Sequence, residues 1–270
     1  MKDPNKWQGT VEMIRRSFTA KGRADSGYYS IEGLRLHERA VRAGVAVEKV
    51  ITAKTFIENP SRRIQDLFQE LKSAHCQIIV VPEEIIQTLV AGRELGSILG
   101  LIKLPEQPRL AEIIANNEET EILVLAAVDV MDPGNVGALL RTAHAAGAAA
   151  FVTVGISDSF HPRALRTTRG SLFKIPVVHY DTIDGLLFDL REQGVEIAGT
   201  AVKEGTPLPE ASFSAKGTAV LIGSEARGLS TATQAAVDLL VSIPMNEGVD
   251  SYSVNAAAAI VMYEINRQRF

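Results

Sequence analysis

Cysteine is almost absent from this chain. Its 270 residues include one, Cys76, so no internal disulfide framework can form and zinc sites built on several cysteines are excluded. Cys76 stands in the apolar stretch HCQIIVV (75–81), where a buried structural thiol is expected in preference to a nucleophile. Histidine is also sparse, with five residues and no metal-ligand spacing, so no metal site is expected. An excess of positive charge is missing: 28 Lys and Arg face 32 Asp and Glu, a net charge of −4. A generally basic nucleic-acid coat is therefore excluded, and contact with an anionic partner must come from local clusters. No window approaches eighteen uncharged apolar residues, the length that spans a bilayer. The first ten residues, MKDPNKWQGT, lack the apolar core of a secretory signal. The expectation is a protein with no membrane segment, located in the cytoplasm.

What is present is an ordinary globular composition, 46% hydrophobic and 22% charged, sufficient for one large or two modest domains. In the first hundred residues VEKVITA (47–53) and QIIVVP (77–82) read as strands, and GSILGLIKLP (96–105) as a closing strand. EGLRLHERAVRAG (32–44) and RRIQDLFQELKSA (62–74) carry helical periodicity. The segment PEQPRLAEIIANNEETE (105–121) has two prolines and a polar end, and reads as a linker. Beyond it strand and helix alternate. EILVLAAV, AAFVTVG, KIPVVHY, EIAGTAV, GTAVLIG and LLVSIPM are short apolar runs, and VGALLRTAHAAG, IDGLLFDLREQG and VNAAAAIVMYEINRQR are helical. The expectation is an α/β protein with a mostly parallel sheet, preceded by a smaller α/β domain, with domains at 1–107 and 118–270.

Three glycine-containing strand ends stand out. MDPGNVGALLRTAHAAGA (131–148) lacks the lysine of a Walker loop, and its Gly134 and Gly137 are spaced G-x-x-G instead of G-x-G-x-x-G. Taken alone, Pro133 and Gly134 form a strand-to-helix turn. VLIGSEARGLS (220–230) and SIPMNEGVDSYSVNAAAAI (242–260) also leave a strand for a tight polar loop. Three such loops can converge at the carboxyl edge of a parallel sheet, where these folds bind ligands.

In this order the three stretches resemble the motifs of the SpoU/TrmH family of SPOUT methyltransferases over residues 119 to 270. The N-terminal YYSIEGLRLHERAVRAG (28–44) is similar to the ribosomal-protein-like substrate-binding domain often attached to them. The resemblance implies a C-terminal trefoil knot, a homodimer with its site completed near the subunit interface, and transfer of a methyl group from S-adenosylmethionine to a ribose 2′-hydroxyl in RNA, rRNA before tRNA. It implies no metal. Carried over by position, it places Asn135, Arg141, Glu225 and Ser251 in catalysis, and Gly223, Ile243 and Tyr252 at the cofactor, with Thr200 and Met245 as further candidates. Gly223 suits close backbone approach to a ligand, whereas Ile243 and Tyr252 suit a plain core equally well. A guanidinium hardly gives up its proton, so Arg141 is better placed to bind phosphate and polarise the hydroxyl than to act as a base; a solvated helix arginine is its bland alternative. Asn135 positions Arg141 or the ribose, or merely forms a turn. Glu225 orients Arg141, or caps the following helix.

Arg163, Arg166 and Arg169 recur every third residue and would form one stripe on a helix, either a solvated face or a phosphate contact. Arg35, with Arg39 and Arg42, forms a second basic cluster. The family motif commonly reads S-L-N-V where this chain reads SYSVN, so Ser253 replaces an asparagine and Asn255 appears two residues later. On a helix two residues turn about 200°, so Asn255 is expected to matter little, Ser253 to cap the last helix and Ser251 to keep its contact. Two other readings are a catalytically inactive RNA-binding or ribosome-assembly protein of the same fold, disfavoured by the retained Asn135, Arg141 and Glu225, and a nucleotide-dependent oxidoreductase, disfavoured by the missing fingerprint.

Overall fold

The computed structural model describes residues 7–58, 60–90, 97–117, 121–214 and 216–269. The start of MKDPNKWQGT, Gly96 of the closing strand and the expected domain start at Glu118 lie outside the described residues. Helices α1 (Gln8–Ser17) and α2 (Ala20–Ser26) lead into β1 (Tyr28–Glu32), and α3 (Leu34–Arg42) into β2 (Val47–Ala53). Helices α4 (Lys54–Glu58) and α5 (Arg62–Ser73) precede β3 (Gln77–Val81), and α6 (Glu83–Val90) precedes β4 (Ile98–Lys103). The four strands lie in the order β1-β4-β2-β3, with β2 and β3 parallel and the other pairs antiparallel. Strand β4, held between β1 and β2, is buried from Ile98 to Ile102; a strand covered on both faces has no reason to alternate apolar with polar. Leu99 and Leu101 meet Val11 and Ile14 of α1 in one core.

The remaining elements are α7 (Leu110–Ala115), β5 (Ile122–Val128), α8 (Pro133–Ala145), β6 (Ala150–Val154), α9 (Pro162–Thr168), β7 (Val177–Tyr180), α10 (Ile183–Glu192), β8 (Glu196–Ala201), β9 (Thr206–Pro207), β10 (Gly217–Ile222), α11 (Thr231–Ala236), β11 (Leu239–Ser242) and α12 (Val254–Arg269). Their seven strands form a sheet in the order β7-β6-β5-β10-β8-β11-β9, and every pair is parallel. Strand β10 is inserted between β5 and β8 and is buried along its whole length. That insertion sets the carboxyl ends of β8, β10 and β11 beside one another.

The chain divides into two compact units, residues 1–106 with 160–173, and residues 107–159 with 174–270. Helix α9 therefore belongs to the first unit, although its sequence lies between strands of the second. Phe160 meets Tyr29 edge-on with ring centroids 5.0 Å apart, and Arg166 pairs with Glu32 at 3.1 Å. The stretch read as a linker is corrected in part: it contains α7, whose Leu110 and Ile114 are buried in the core of the seven-stranded sheet. Leu110, Ile113 and Ile114, at i, i+3 and i+4, share one face of the helix, and Ile113 packs against the same core.

Candidate active site

Helix α8 starts earlier than its sequence suggests. Asp132 is the N-cap, its Oδ1 accepting from Asn135 N at 3.1 Å, and Pro133 is the first helical residue. Pro133 and Gly134 read as a turn, yet proline is well suited to a first helical position where its missing N–H has no bond to make. Asn135 thus stands in the first turn of a helix, with its direction fixed by that helix.

Beyond the ends of β8, β10 and β11 lies a cavity of about 660 Å³. The five residues expected at a cofactor, Thr200, Gly223, Ile243, Met245 and Tyr252, all line it, as do Glu225 and Ser251. Ile222, Val241 and Ala257 add apolar surface, Glu204 and Asp250 add negative charge, and Lys203 and Arg227 add positive charge. Thr200 spends its hydroxyl on the neighbouring strand, donating to Leu221 O at 3.1 Å. Tyr252 is 43% exposed, which removes the alternative of a plain core residue; Ile243 is half-buried. Gly223 is required for a reason other than ligand approach: a Cβ there would lie 2.1 Å from the carbonyl carbon of Gly228 and 2.2 Å from Leu229 N. The loop closes on itself, with Gly228 N donating to Ser224 O at 2.8 Å and Ser224 N to Gly228 O at 3.2 Å.

At the edge of this cavity three side chains form a chain of bonds. Asn135 Nδ2 donates to Glu225 Oε1 at 2.8 Å, and Asn255 Nδ2 donates to Asn135 Oδ1 at 2.9 Å. Within one chain Glu225 meets Asn135; the capping alternative is corrected, because the N-cap of α11 is Ser230. For Asn255 the structure changes the premise of the expectation. Helix α12 begins at Val254, so Ser253 is not part of it and the rotation argument does not apply across 253–255. Ser253 does cap the helix, its Oγ accepting from Ala256 N at 3.3 Å. Ser251 is exposed and lines the cavity.

Arg141 is not brought to this group. Six residues past Asn135, it points about 240° around the helix and about 9 Å along it. It is exposed and lies outside the cavity lining. The arginine stripe is also broken: α9 ends at Thr168, and Arg169 takes a left-handed conformation with φ 52°. Arg166 is 21% exposed in its ion pair with Glu32, so it anchors α9 to β1. Arg163, Arg169 and Arg35 are exposed on the same unit, and the stem of Arg39 lies against Gly170, whose added Cβ would meet it at 2.7 Å. Burial pushes the Cys76 thiol up to about 11, in keeping with a structural role. Among the described residues no cluster of metal-ligating side chains exists, and no helix is long and apolar enough to cross a membrane.

Comparison with known proteins follows the same lines. Residues 122–263 match the model of the SpoU rRNA Methylase family. The 23S rRNA (guanosine(2553)-2′-O)-methyltransferase RlmP of Bacillus subtilis is 29% identical over 94% of this chain and 95% of its own. The 23S rRNA (guanosine-2′-O-)-methyltransferase RlmB of Ralstonia nicotianae is 31% identical over 77% of this chain and 84% of its own. In fold, the chain resembles the SpoU methyltransferase AviRb of Streptomyces viridochromogenes, crystallised with AdoMet, at a TM-score of 0.84, 24% identity and coverage of 96% and 97%. That likeness is consistent with the C-terminal trefoil knot implied by the family resemblance.

Proposed function

The chain belongs to the SpoU rRNA Methylase family, and from that premise we propose that it transfers a methyl group from S-adenosylmethionine to a ribose 2′-hydroxyl of rRNA. One observation carries the reading: all five residues expected at the cofactor line a single cavity, together with Glu225 and Ser251. Its volume of about 660 Å³ suits a cofactor-sized molecule. Its apolar walls suit an adenosyl group, and its lining carries both signs of charge, Glu204, Glu225 and Asp250 with Lys203 and Arg227, which suits a ligand with a cationic sulfur, an ammonium group and a carboxylate. When bound, the cofactor supplies an electrophilic methyl carbon.

The protein's own task is to hold the acceptor in line, which accounts for much of such rate enhancements. Ser251, on the cavity wall, and Asn135, fixed by α8, can both donate and accept toward a ribose hydroxyl. A guanidinium can stabilise the alkoxide charge that grows as the hydroxyl loses its proton, and Arg141 is the residue for this. That it does not line its own cavity supports a homodimer in which a second copy completes the site. Arg163, Arg169 and Arg35 on the first unit serve as phosphate contacts; Arg166, through its ion pair with Glu32, holds their scaffold. A cytoplasmic location follows from an rRNA substrate.

The test is transfer of labelled methyl groups from S-adenosylmethionine to rRNA and tRNA from cells lacking the protein, read as alkali-resistant dinucleotides. Label in rRNA is the expected result; label in tRNA alone would replace the substrate, and none in either would sink the reading. Arg141→Ala should abolish transfer, a loss of about a hundredfold or more, while calorimetric cofactor affinity stays near that of the wild type. Loss of both would place Arg141 at the cofactor.

A further inference from the structure

We infer that Asn255 is a positioning residue for the transfer reaction, acting through Asn135; the inference rests on the proposed function. The bond chain Asn255–Asn135–Glu225 has one permitted direction. A carboxylate offers acceptors alone, so Asn135 must turn Nδ2 toward Glu225 Oε1, as it does at 2.8 Å. Its Oδ1 is then turned toward Asn255, which must answer with Nδ2, at 2.9 Å. An amide seen in isolation can be flipped without changing its shape; here the carboxylate at one end sets both amides. Asn255 therefore holds Asn135 in the orientation that leaves Glu225 correctly bonded at the cavity wall.

A second observation separates this role from packing. Asn255 Oδ1 is buried and has no hydrogen-bond partner, and a desolvated acceptor without a donor destabilises the fold. The four residues that follow, 256–259, are all alanine, and alanine at 255 would serve α12 at no such cost. Packing against α8 does not call for an amide at this place. Its Nδ2 does have a use, and that use is Asn135. The residue also stands in the segment where the chain departs from S-L-N-V, so the asparagine of this chain works from the first turn of α12 instead of from the cap.

The test compares wild type, Asn255→Ala and the isosteric Asn255→Asp for methyl transfer to rRNA, cofactor affinity by calorimetry and thermal melting. Asn255→Ala should melt no lower than wild type and bind cofactor with similar affinity, yet turn over about tenfold or more slowly. A carboxylate at 255 would face Asn135 Oδ1 acceptor to acceptor. Protonating it restores a donor, so the rate of Asn255→Asp relative to wild type should rise as pH falls. Wild-type turnover in Asn255→Ala, or a melting loss that accompanies the lost rate, would overturn the inference, as would a pH-independent ratio for Asn255→Asp. A wild-type protein that transfers no methyl group to RNA would overturn the functional reading itself, and the inference with it.

Discussion

His37 is fully buried on α3, with Nδ1 2.8 Å from Gly33 O and Nε2 without a partner. Nδ1 therefore carries the proton and donates. Gly100 leaves the ring its room, since a Cβ there would lie 2.6 Å from Nε2. Burial lowers the imidazole from 6.5 to about 4, against a smaller opposing effect of the bond to Gly33. Below about pH 6.5 the unfolded chain takes up a proton that the folded chain refuses until about pH 4. This group therefore leaves stability unchanged above pH 7 and reduces it as pH falls through that window, by at most about 1.4 kcal/mol per pH unit. Urea midpoints at pH 7 and pH 5 should show a larger drop for wild type than for His37→Leu. Equal drops would mean that the ring is protonated in the fold. The helical periodicity of EGLRLHERAVRAG located this residue on a helix, but its solitude beside Gly100 depends on a strand more than sixty residues away.

The loop from β10 to α11 is the element on which the cavity depends. It turns back so closely that Gly223 faces the backbone of Gly228 and Leu229. Gly223→Ala cannot be accommodated by moving a side chain; the backbone itself must open. Gly228 is different, because its φ of 64° is left-handed but an added Cβ would meet nothing within 4 Å. Gly228→Ala should therefore cost about 1–2 kcal/mol of left-handed strain and largely preserve cofactor binding. Gly223→Ala should weaken cofactor affinity by about tenfold or more through displacement of the wall. Calorimetry and thermal melts on both variants check this, and equal behaviour would show that the loop adapts. The sequence marks both glycines in IGSEARGLS but not the difference between them, which exists once the loop has closed.

For the molecule as a whole, the two units do not follow the order of the chain. Leu110 and Ile114 of α7 belong to the core of the second unit, and removing buried residues of this size costs about 2–5 kcal/mol each. A fragment of residues 107–270 should melt cooperatively, bind cofactor and outlast a fragment of residues 121–270 in urea. In either fragment the segment 160–173 loses Tyr29, Glu32 and Arg39 of its own unit, so limited proteolysis should cut there first. Equal stability of the two fragments would exclude α7 from the folding unit. The sequence by itself determined the strand and helix alternation and the parallel sheet, because periodicity and capping are local properties of the chain, and its three motifs carried the resemblance that pointed to the residues at the cavity. Tertiary structure decided what local signals do not carry. It inserted β10 between β5 and β8, drew 160–173 into the first unit and turned Arg141 away from its own cavity. It also joined Asn255 to Asn135 across 120 residues. Those outcomes depend on which surfaces fit once the elements exist, and complementarity of shape and hydrogen bonding is a property of two distant segments together, written in neither one alone.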